Sequence, residues 1–501
     1  MATKTINVLA FVLLLQYASC YAQIEQVTSR SQGQQPHRFR GGECQIERLN
    51  TLEPSRRIEA EAGVSELWDE DEGQLQCAGV AVVRHIIQKR GLFLPAFTNA
   101  PELMYVVQGR GFQGVVFPGC PETYQSPEGS QHSQSRYGGQ MRGERTQDQH
   151  QKVQQIREGD IIALPAGATH WIYNQGQSEL VIVSVVDLSN QENQLDHSFR
   201  KFFLAGNPQQ GRQQQGGSSQ SWGPRRRGGS SQQESFGNIF SGFDEQILSE
   251  SFAIDTELAQ KLKCQDDQRG HIVEVQNELQ IVSPRYREGE QEGESEWKRE
   301  REWRGGRRRG TRDNGLEETL CTMRLRENIN KPEKADIYNP RGGRFTTLNS
   351  FSLPILSFIG LSATRAVLYR DAIVAPHYHM NCHGVIYVTR GSGRIQIVDD
   401  SANTVFDGQL QEGQLLVVPQ NFAVVKKAGS EGFEYVSFRT NDNAMVSSLA
   451  GRLSVIRSLP EQVVMNSYDV SREEARRLKY SREEFAVLSP GSRSSQRGMK
   501  D

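Results

Sequence analysis

The chain repeats itself, so any fold it adopts must accommodate two copies of one unit. Residues 95–109 (PAFTNAPELMYVVQG) parallel residues 376–391 (PHYHMNCHGVIYVTRG), and residues 158–165 (EGDIIALP) parallel 412–419 (EGQLLVVP). Residues 243–262 (FDEQILSESFAIDTELAQKL) match 459–478 (LPEQVVMNSYDVSREEARRL) without a gap. The offset between copies falls from 282 to 254 and then to 216 residues. Two insertions in the first copy account for this: a Gln/Gly/Arg run over about 124–151 and a Gln/Gly/Ser run over about 207–234. Such polar, low-complexity stretches bury too little apolar surface to offset the entropy of ordering them. Both are expected to be disordered surface loops.

Within each copy short Val/Ile/Leu-rich runs end at Gly, Pro, Asn or Asp, which predicts many short strands closing into a sandwich or barrel. In the first copy these are 103–107, 115–117, 161–164 and 180–186; in the second, 385–388, 394–398, 415–418 and 434–438. The third repeated block has helical spacing instead, with Ile247, Leu248, Leu258 and Leu262 answered by Val463, Val464, Ala475 and Leu478. Asp255 and Ser471 are the expected helix starts. Ser471 followed by Glu474 has the spacing of a capping box, the better signal of the two.

The N-terminus reads as a secretory signal over 1–22. Lys4 supplies the positive end, Val8 to Leu15 the apolar stretch, and Ala18, Ser19, Cys20 and Ala22 the small residues, with cleavage after Ala22 or, alternatively, after Cys20. Eight apolar residues are too few to span a bilayer, which takes about 20. No later segment is long enough either, so no membrane partner is expected. Net charge is −2 over 501 residues, giving no global attraction to nucleic acid. Two basic clusters, Arg225 to Arg227 and Arg301 to Arg309, fall in expected loops, and acidic residues interleave the second; both read as solvated loops rather than nucleic-acid contacts. No N-x-Ser/Thr acceptor occurs, so N-glycosylation is not expected.

Between residues 283 and 313 the chain is too charged and Gly-rich to bury a core, and it ends in Asn314-Gly315-Leu316-Glu317-Glu318-Thr319, two residues before Cys321. Asn-Gly alone is a favoured turn. The whole string after a mobile run is more specific, because proteases need exposed, flexible chain. It resembles the processing site of the legumin-type 11S seed storage globulins. Dividing the chain after Asn314 leaves about −6 on 23–314 and about +3 on 315–501, by counting Lys and Arg against Asp and Glu. That matches the acidic and basic chains of such proteins.

The repeat in turn resembles the cupin barrel, and Gly159-x5-Pro165-x-Gly167-x2-His170-x3-Asn174 meets the second cupin motif at every fixed position. The resemblance covers about 42–490. It implies an all-β dominated bicupin: two jelly-roll-like β-barrels, each followed by short α-helices. The expected division is signal peptide 1–22, N-terminal cupin 23–282, linker 283–314 and C-terminal cupin 315–501. The related 7S storage proteins also have two cupins but generally lack the processing string and its cysteine pair.

Six cysteines remain after signal removal, and spacing leaves fifteen connectivities open. The family pattern implies Cys44–Cys77 within the acidic chain and Cys120–Cys321 between the chains. Cys264 and Cys382 are then left as buried free thiols.

Catalytic cupins hold a metal with an HxH pair, a Glu and a later His, leaving a position open for substrate. The first copy keeps Glu102 and His170 but has Ala96 and Thr98 in place of the pair. The second keeps His377 and His379, with His383 nearby, but has Gly384 at the Glu position and Val424 at the last His position. Ala, Thr, Gly and Val cannot replace imidazole or carboxylate as strong ligands. No metal, cofactor or catalytic residue is therefore expected. His170 is expected to be a hydrogen-bonded interior histidine.

The resemblance implies a nutrient reservoir rather than an enzyme, cut at Asn314–Gly315 by an asparagine-specific protease. It also implies self-assembly into trimers and then hexamers, and delivery through the secretory pathway to the protein storage vacuole. Ile247, Leu248, Leu262, Val463, Val464 and Leu478 are the candidate subunit contacts. The competing class is a bicupin enzyme or small-ligand binder with a reduced site, which stoichiometric metal and turnover would distinguish.

Overall fold

The computed structural model describes residues 46–68, 72–120, 153–208, 237–277 and 323–490, with Cys44, Gln151, Trp222, Leu279, Cys321 and a short pairing of 124–125 with 149–150. The signal segment, most of both insertions, the two Arg clusters, the charged run and Asn314–Gly315 lie outside the described residues.

Each copy closes into a barrel of antiparallel strands. In the first, one sheet runs Arg56–Ala60, Gly63–Trp68, Val80–Ile87, Leu180–Asp187, Glu102–Gln108, Asp160–Leu164 and Arg326–Asn328. The facing sheet runs Lys201–Phe203, Gly91–Thr98, Thr169–Tyr173, Arg110–Val116 and Val153–Arg157. The central strands of the first sheet, Val80–Ile87, Leu180–Asp187, Glu102–Gln108 and Asp160–Leu164, are nearly all buried on both faces. One face fills the barrel and the other packs against the second barrel, so alternation of apolar and polar residues is weak where it would ordinarily be strong.

The second barrel differs in one respect from its expected strand pattern. Val385–Val388 and Arg394–Val398 are parts of one strand, Gly384–Val398, which bends at register shifts near Arg390 and Gly391. Gly391 has φ +72°, and its first-copy counterpart Gly109 has φ +90°. The same left-handed glycine separates two strands in one barrel and makes a bulge in the other. Long partner strands explain the difference: Ala423–Arg439 runs beside the whole of Gly384–Val398 and holds it together.

The barrels meet through a reciprocal pair of contacts that reflects the repeat. Arg84 donates to Tyr387 Oη at 2.9 Å, and Arg365 donates to Tyr105 Oη at 3.1 Å. Each arginine is held from the other side by a carboxylate, Glu66 and Glu434 respectively. Trp68 packs edge-on to the Tyr387 ring at 6.2 Å.

The division between barrels is not the division at Asn314. Arg326–Asn328, C-terminal to the processing string, pairs with Asp160–Leu164 of the first barrel. Arg326 and Asn328 both bind the buried Asp160 carboxylate, at 2.9 and 2.7 Å. In exchange, Leu49 and Leu52 of the first half hydrogen-bond to Val405 and Leu415 of the second, and Leu49 belongs to the second core.

The helices begin where expected. Asp255 accepts from the Leu258 N–H at 2.7 Å to start Thr256–Lys263, and Ser471 with Glu474 forms a complete capping box at Arg472–Tyr480. Not every apolar position on them faces outward. Val464 and Leu248 are buried within their own subunit, whereas Ile247, Leu258, Val463 and Leu478 are exposed. Val464 and Leu248 are therefore not available as subunit contacts.

Candidate functional site

The first barrel brings Glu102 and His170 into its interior, each 1 % exposed. His170 pairs in register with Ala96, so the place of a second imidazole holds only a methyl group. The Thr98 hydroxyl turns away to the Ala100 carbonyl at 2.8 Å. What faces the Glu102 carboxylate is Lys201, which pairs with Thr98 on the neighbouring strand. Its Nζ lies 3.9 Å from Glu102 Oε2 and 4.7 Å from the centre of the Phe93 ring. An ammonium supplies the countercharge that a cation would supply in a metal-binding cupin. Sequence reasoning missed this residue. Its only signal is a lone Lys within the apolar stretch KFFLAG.

Around this ion pair lie three buried imidazoles. The Ser65 hydroxyl bridges His85 Nδ1 and His271 Nε2 at 2.7 Å each. With a single hydrogen, it donates to one ring and accepts from the other. The His170 ring stacks on Phe93 at 5.9 Å, and neither of its nitrogens has a hydrogen bond of good geometry. It is interior, as its motif position implies, stacked on Phe93 with the Ala168 backbone as its hydrogen-bonding neighbour. Burial, reinforced by the Lys201 charge, lowers His170 to about 4 and His271 to about 3, and takes His85 well below the ordinary imidazole value. Trp222, from within the polar insertion, is 4 % exposed and packs on Phe203 and His271 at 5.4 and 4.9 Å. Trp222 thus places an aromatic side chain in the barrel from within a run expected to lie on the surface, since burying an indole removes a large apolar area from water.

The second barrel holds His377 and His379 with ring centres 5.7 Å apart. His377 Nδ1 donates to the Ala375 carbonyl at 2.8 Å, leaving Nε2 without its proton. His383 sits on the loop after them, and its Nδ1 accepts the Gln420 N–H at 3.3 Å. At Gly384 a Cβ would lie 2.6 Å from His379 Cε1, so the imidazole occupies the space where a carboxylate would have to enter. These residues do not fit a cupin metal: the carboxylate is missing, its space is filled, and Val424 ends the set. Among the described residues no group of three or more His, Cys, Asp and Glu is placed to hold a metal ion. Two residues beyond Val424 on the same strand, Lys426 is 3 % exposed. Burial, with the nearby Arg439 charge, pushes its ammonium down to about 7.

Two disulfides join the described residues: Cys44–Cys77, and Cys120–Cys321 across 201 positions of sequence. Cys382 is a buried thiol. Cys264 is only half-buried, at the left-handed cap of Thr256–Lys263 with φ +49°, because a cap residue lies at the end of its helix rather than under it.

Comparison with known proteins agrees with this architecture. A cupin family profile matches residues 49–210 and 327–476. The chain is 50 % identical over 502 residues to the 11S globulin seed storage protein 1 of Carya illinoinensis, covering 97 % of this chain and 96 % of that one. It belongs to the 11S globulin seed storage family. A second relative of this globulin, the 11S globulin seed storage protein Ana o 2.0101 of Anacardium occidentale, is 51 % identical over 89 % of this chain and 93 % of its own. Among solved structures, pumpkin seed globulin superposes with a TM-score of 0.75 at 44 % identity, covering 90 % of this chain and all of that one.

Proposed function

We propose that this 11S globulin is a seed storage protein, a nutrient reservoir and not an enzyme. It travels the secretory pathway to the protein storage vacuole, after loss of a signal peptide over 1–22. An asparagine-specific protease cuts it after Asn314 into an acidic chain, 23–314, and a basic chain, 315–501. The observation that carries the reading is identity of about half the residues, over nearly the full length, to proteins named as seed storage globulins. The incomplete ligand sets in both barrels support it, since neither offers the open, carboxylate-bearing metal site a cupin enzyme uses.

The strand exchange supports a two-chain mature subunit. After a cut at 314–315 the basic chain keeps Arg326–Asn328 in the first barrel, and the acidic chain keeps Leu49 in the second. The chains are then bound by backbone pairing and buried apolar surface as well as by Cys120–Cys321. A Cys321→Ser variant, once processed, should separate into two bands in denaturing electrophoresis without reductant, yet elute as one particle under native conditions. Chains still covalently joined in that variant would refute the two-chain assignment.

Assembly proceeds to trimers through the helical ends and, after cleavage, to hexamers. The exposed Ile247, Leu258, Val463 and Leu478 are apolar surface that a neighbouring subunit can cover in a closed ring. While 283–313 is tied at both ends, it screens one face of the trimer; the cut releases one end. Size analysis tests both steps. Val463→Glu should give folded monomers, and an Asn314→Gln precursor should stop at trimers after protease treatment. Hexamers from the uncut variant would separate assembly from cleavage.

A further inference from the structure

The interior of the second barrel carries charge that nothing in the barrel balances. Lys426 is buried, and its Nζ lies over the Tyr435 ring at 5.1 Å. Among the described residues neither Lys426 nor Arg439 has an ion-pair partner. The buried Nε of Arg439, the Ser437 hydroxyl and both ring nitrogens of His379 have no hydrogen-bond partner. The charges that act on His377, His379, Lys426 and Tyr435 are those of Lys426, Arg439 and the neighbouring imidazoles, and no carboxylate is among them. Strand alternation explains the clustering. Tyr435, Ser437 and Arg439 share one face of Ala423–Arg439, and Val424 and Lys426, beside His377, turn into the same interior.

The contrast with the first barrel is chemical. There the Glu position is kept as Glu102, and it neutralises Lys201. In the second barrel the Glu position is Gly384, where His379 fills the space of a side chain. Buried cations without a partner are rare because desolvation is so costly. Here a buried ammonium and a half-buried guanidinium, with a hydroxyl and an imidazole that can donate, make a donor set suited to negative charge. The same set repels a metal cation.

We infer that the second barrel's interior binds a small oxyanion, a carboxylate or inorganic phosphate, through Lys426 and Arg439, with Ser437 and His379 as additional donors. The anion supplies the charge that the lost carboxylate no longer supplies. Protonated Lys426 binds it, and with the ammonium at about 7, affinity falls as pH rises above neutrality. Tyr435 is held neutral by burial, and Arg439, His377, His379 and His383 are the other charged and titratable groups facing the site.

Calorimetric titration of the full chain at pH 6 and low ionic strength tests the site, with inorganic phosphate and acetate as separate probes. One saturable site per subunit is expected, and the stronger of the two probes identifies the class of anion. Lys426→Met should weaken binding at least tenfold. Lys427→Met removes the same charge from the exposed side of the same strand and should leave binding unchanged. Equal weakening in both variants, or no saturable binding to the unmutated protein, overturns the proposal. Should Lys426→Met fail to fold, the unmutated protein still decides. Crystals soaked in selenate, an oxyanion located by its anomalous scattering, should show it beside Lys426 and Arg439; selenate found only on the surface overturns the assignment.

Discussion

The first barrel buries a lysine against a carboxylate, and the second buries a lysine against an aromatic ring with no carboxylate nearby. Both barrels repeat one unit, and each carries half of a cupin metal-ligand set, but different halves. Where Glu102 is present, the Lys201 ammonium faces it and the buried pair is neutral overall. Where the imidazoles are present and Gly384 stands at the Glu position, the interior cations are unmatched. A shared fold therefore fixes where charge can be buried but not its sign.

The largest effect is expected on acidification, and both barrels contribute to it, since burial also holds His377 and His379 well below the ordinary imidazole value. Folding holds His170 and His271 neutral, at about 4 and about 3, against about 6.5 in an unfolded chain. Their contribution is fully present above pH 6.5 and is lost as pH falls through the folded values. Each costs about 1.4 kcal/mol per pH unit across that window. Denaturant midpoints measured from pH 7 to pH 4.5 should fall steeply, and His170→Phe should flatten the slope. An unchanged slope in that variant would show that the acid sensitivity arises from the other buried histidines, His85 and His271 of the first barrel or His377 and His379 of the second.

Lysine replacement should then move the two barrels in opposite directions. Lys201→Met strands the Glu102 carboxylate and should cost about 3–5 kcal/mol, most of it recovered by adding Glu102→Gln. Lys426→Met strands nothing and should raise stability at pH 7 by roughly 1–4 kcal/mol. The pH dependence follows from the depressed value of Lys426. Its contribution is complete above about pH 10.4, where the unfolded lysine also loses its proton, and is lost as pH falls through about 7. Unmutated protein should gain stability between pH 7 and 10, and Lys426→Met should lose that gain. Thermal melts of both variants across pH would break the comparison if they shifted in the same direction.

A smaller effect tests the vacated Glu position. Gly384→Ala places a methyl group 2.6 Å from the buried His379 ring. It should cost about 1–3 kcal/mol through overpacking, read as a lower melting temperature. The smallest separates the two helical ends. Ser471→Ala removes the N-cap of a reciprocal box and should cost about 1 kcal/mol. Asp255→Ala, which loses a single cap bond, should cost no more. Equal losses would mean the reciprocal bond adds nothing.

Much of the architecture was legible because the repeat carries its own register. Glu102, His170, His377 and His379 stand at motif positions, and local spacing was enough to find them. The cap at Ser471 could be read because a capping box is a contact three residues long. Lys201 could not, since it reaches Glu102 only when a strand about 100 residues downstream pairs with Gly91–Thr98. Lys426 and Lys427 are adjacent and chemically identical; one is buried and the other exposed because of which face of the strand each occupies. Trp222 was hidden by the polar composition around it. Gly384–Val398 was read as two strands because a glycine punctuates it, and only the partner strand shows that the chain continues.

The amino-acid sequence by itself determined the two-barrel plan, the helix starts and which metal ligands each copy retains, since all of these rest on residue identity at fixed spacing. The tertiary structure decided what the interiors became. Burial sets whether a lysine is a solvated surface charge or the strongest electrostatic feature of a barrel, and burial depends on strand pairing between distant segments. The same is true of the division of the molecule: residues 326–328 follow the processing string in sequence but complete the first barrel in space, because Asp160 and its strand offer them hydrogen bonds and a buried countercharge.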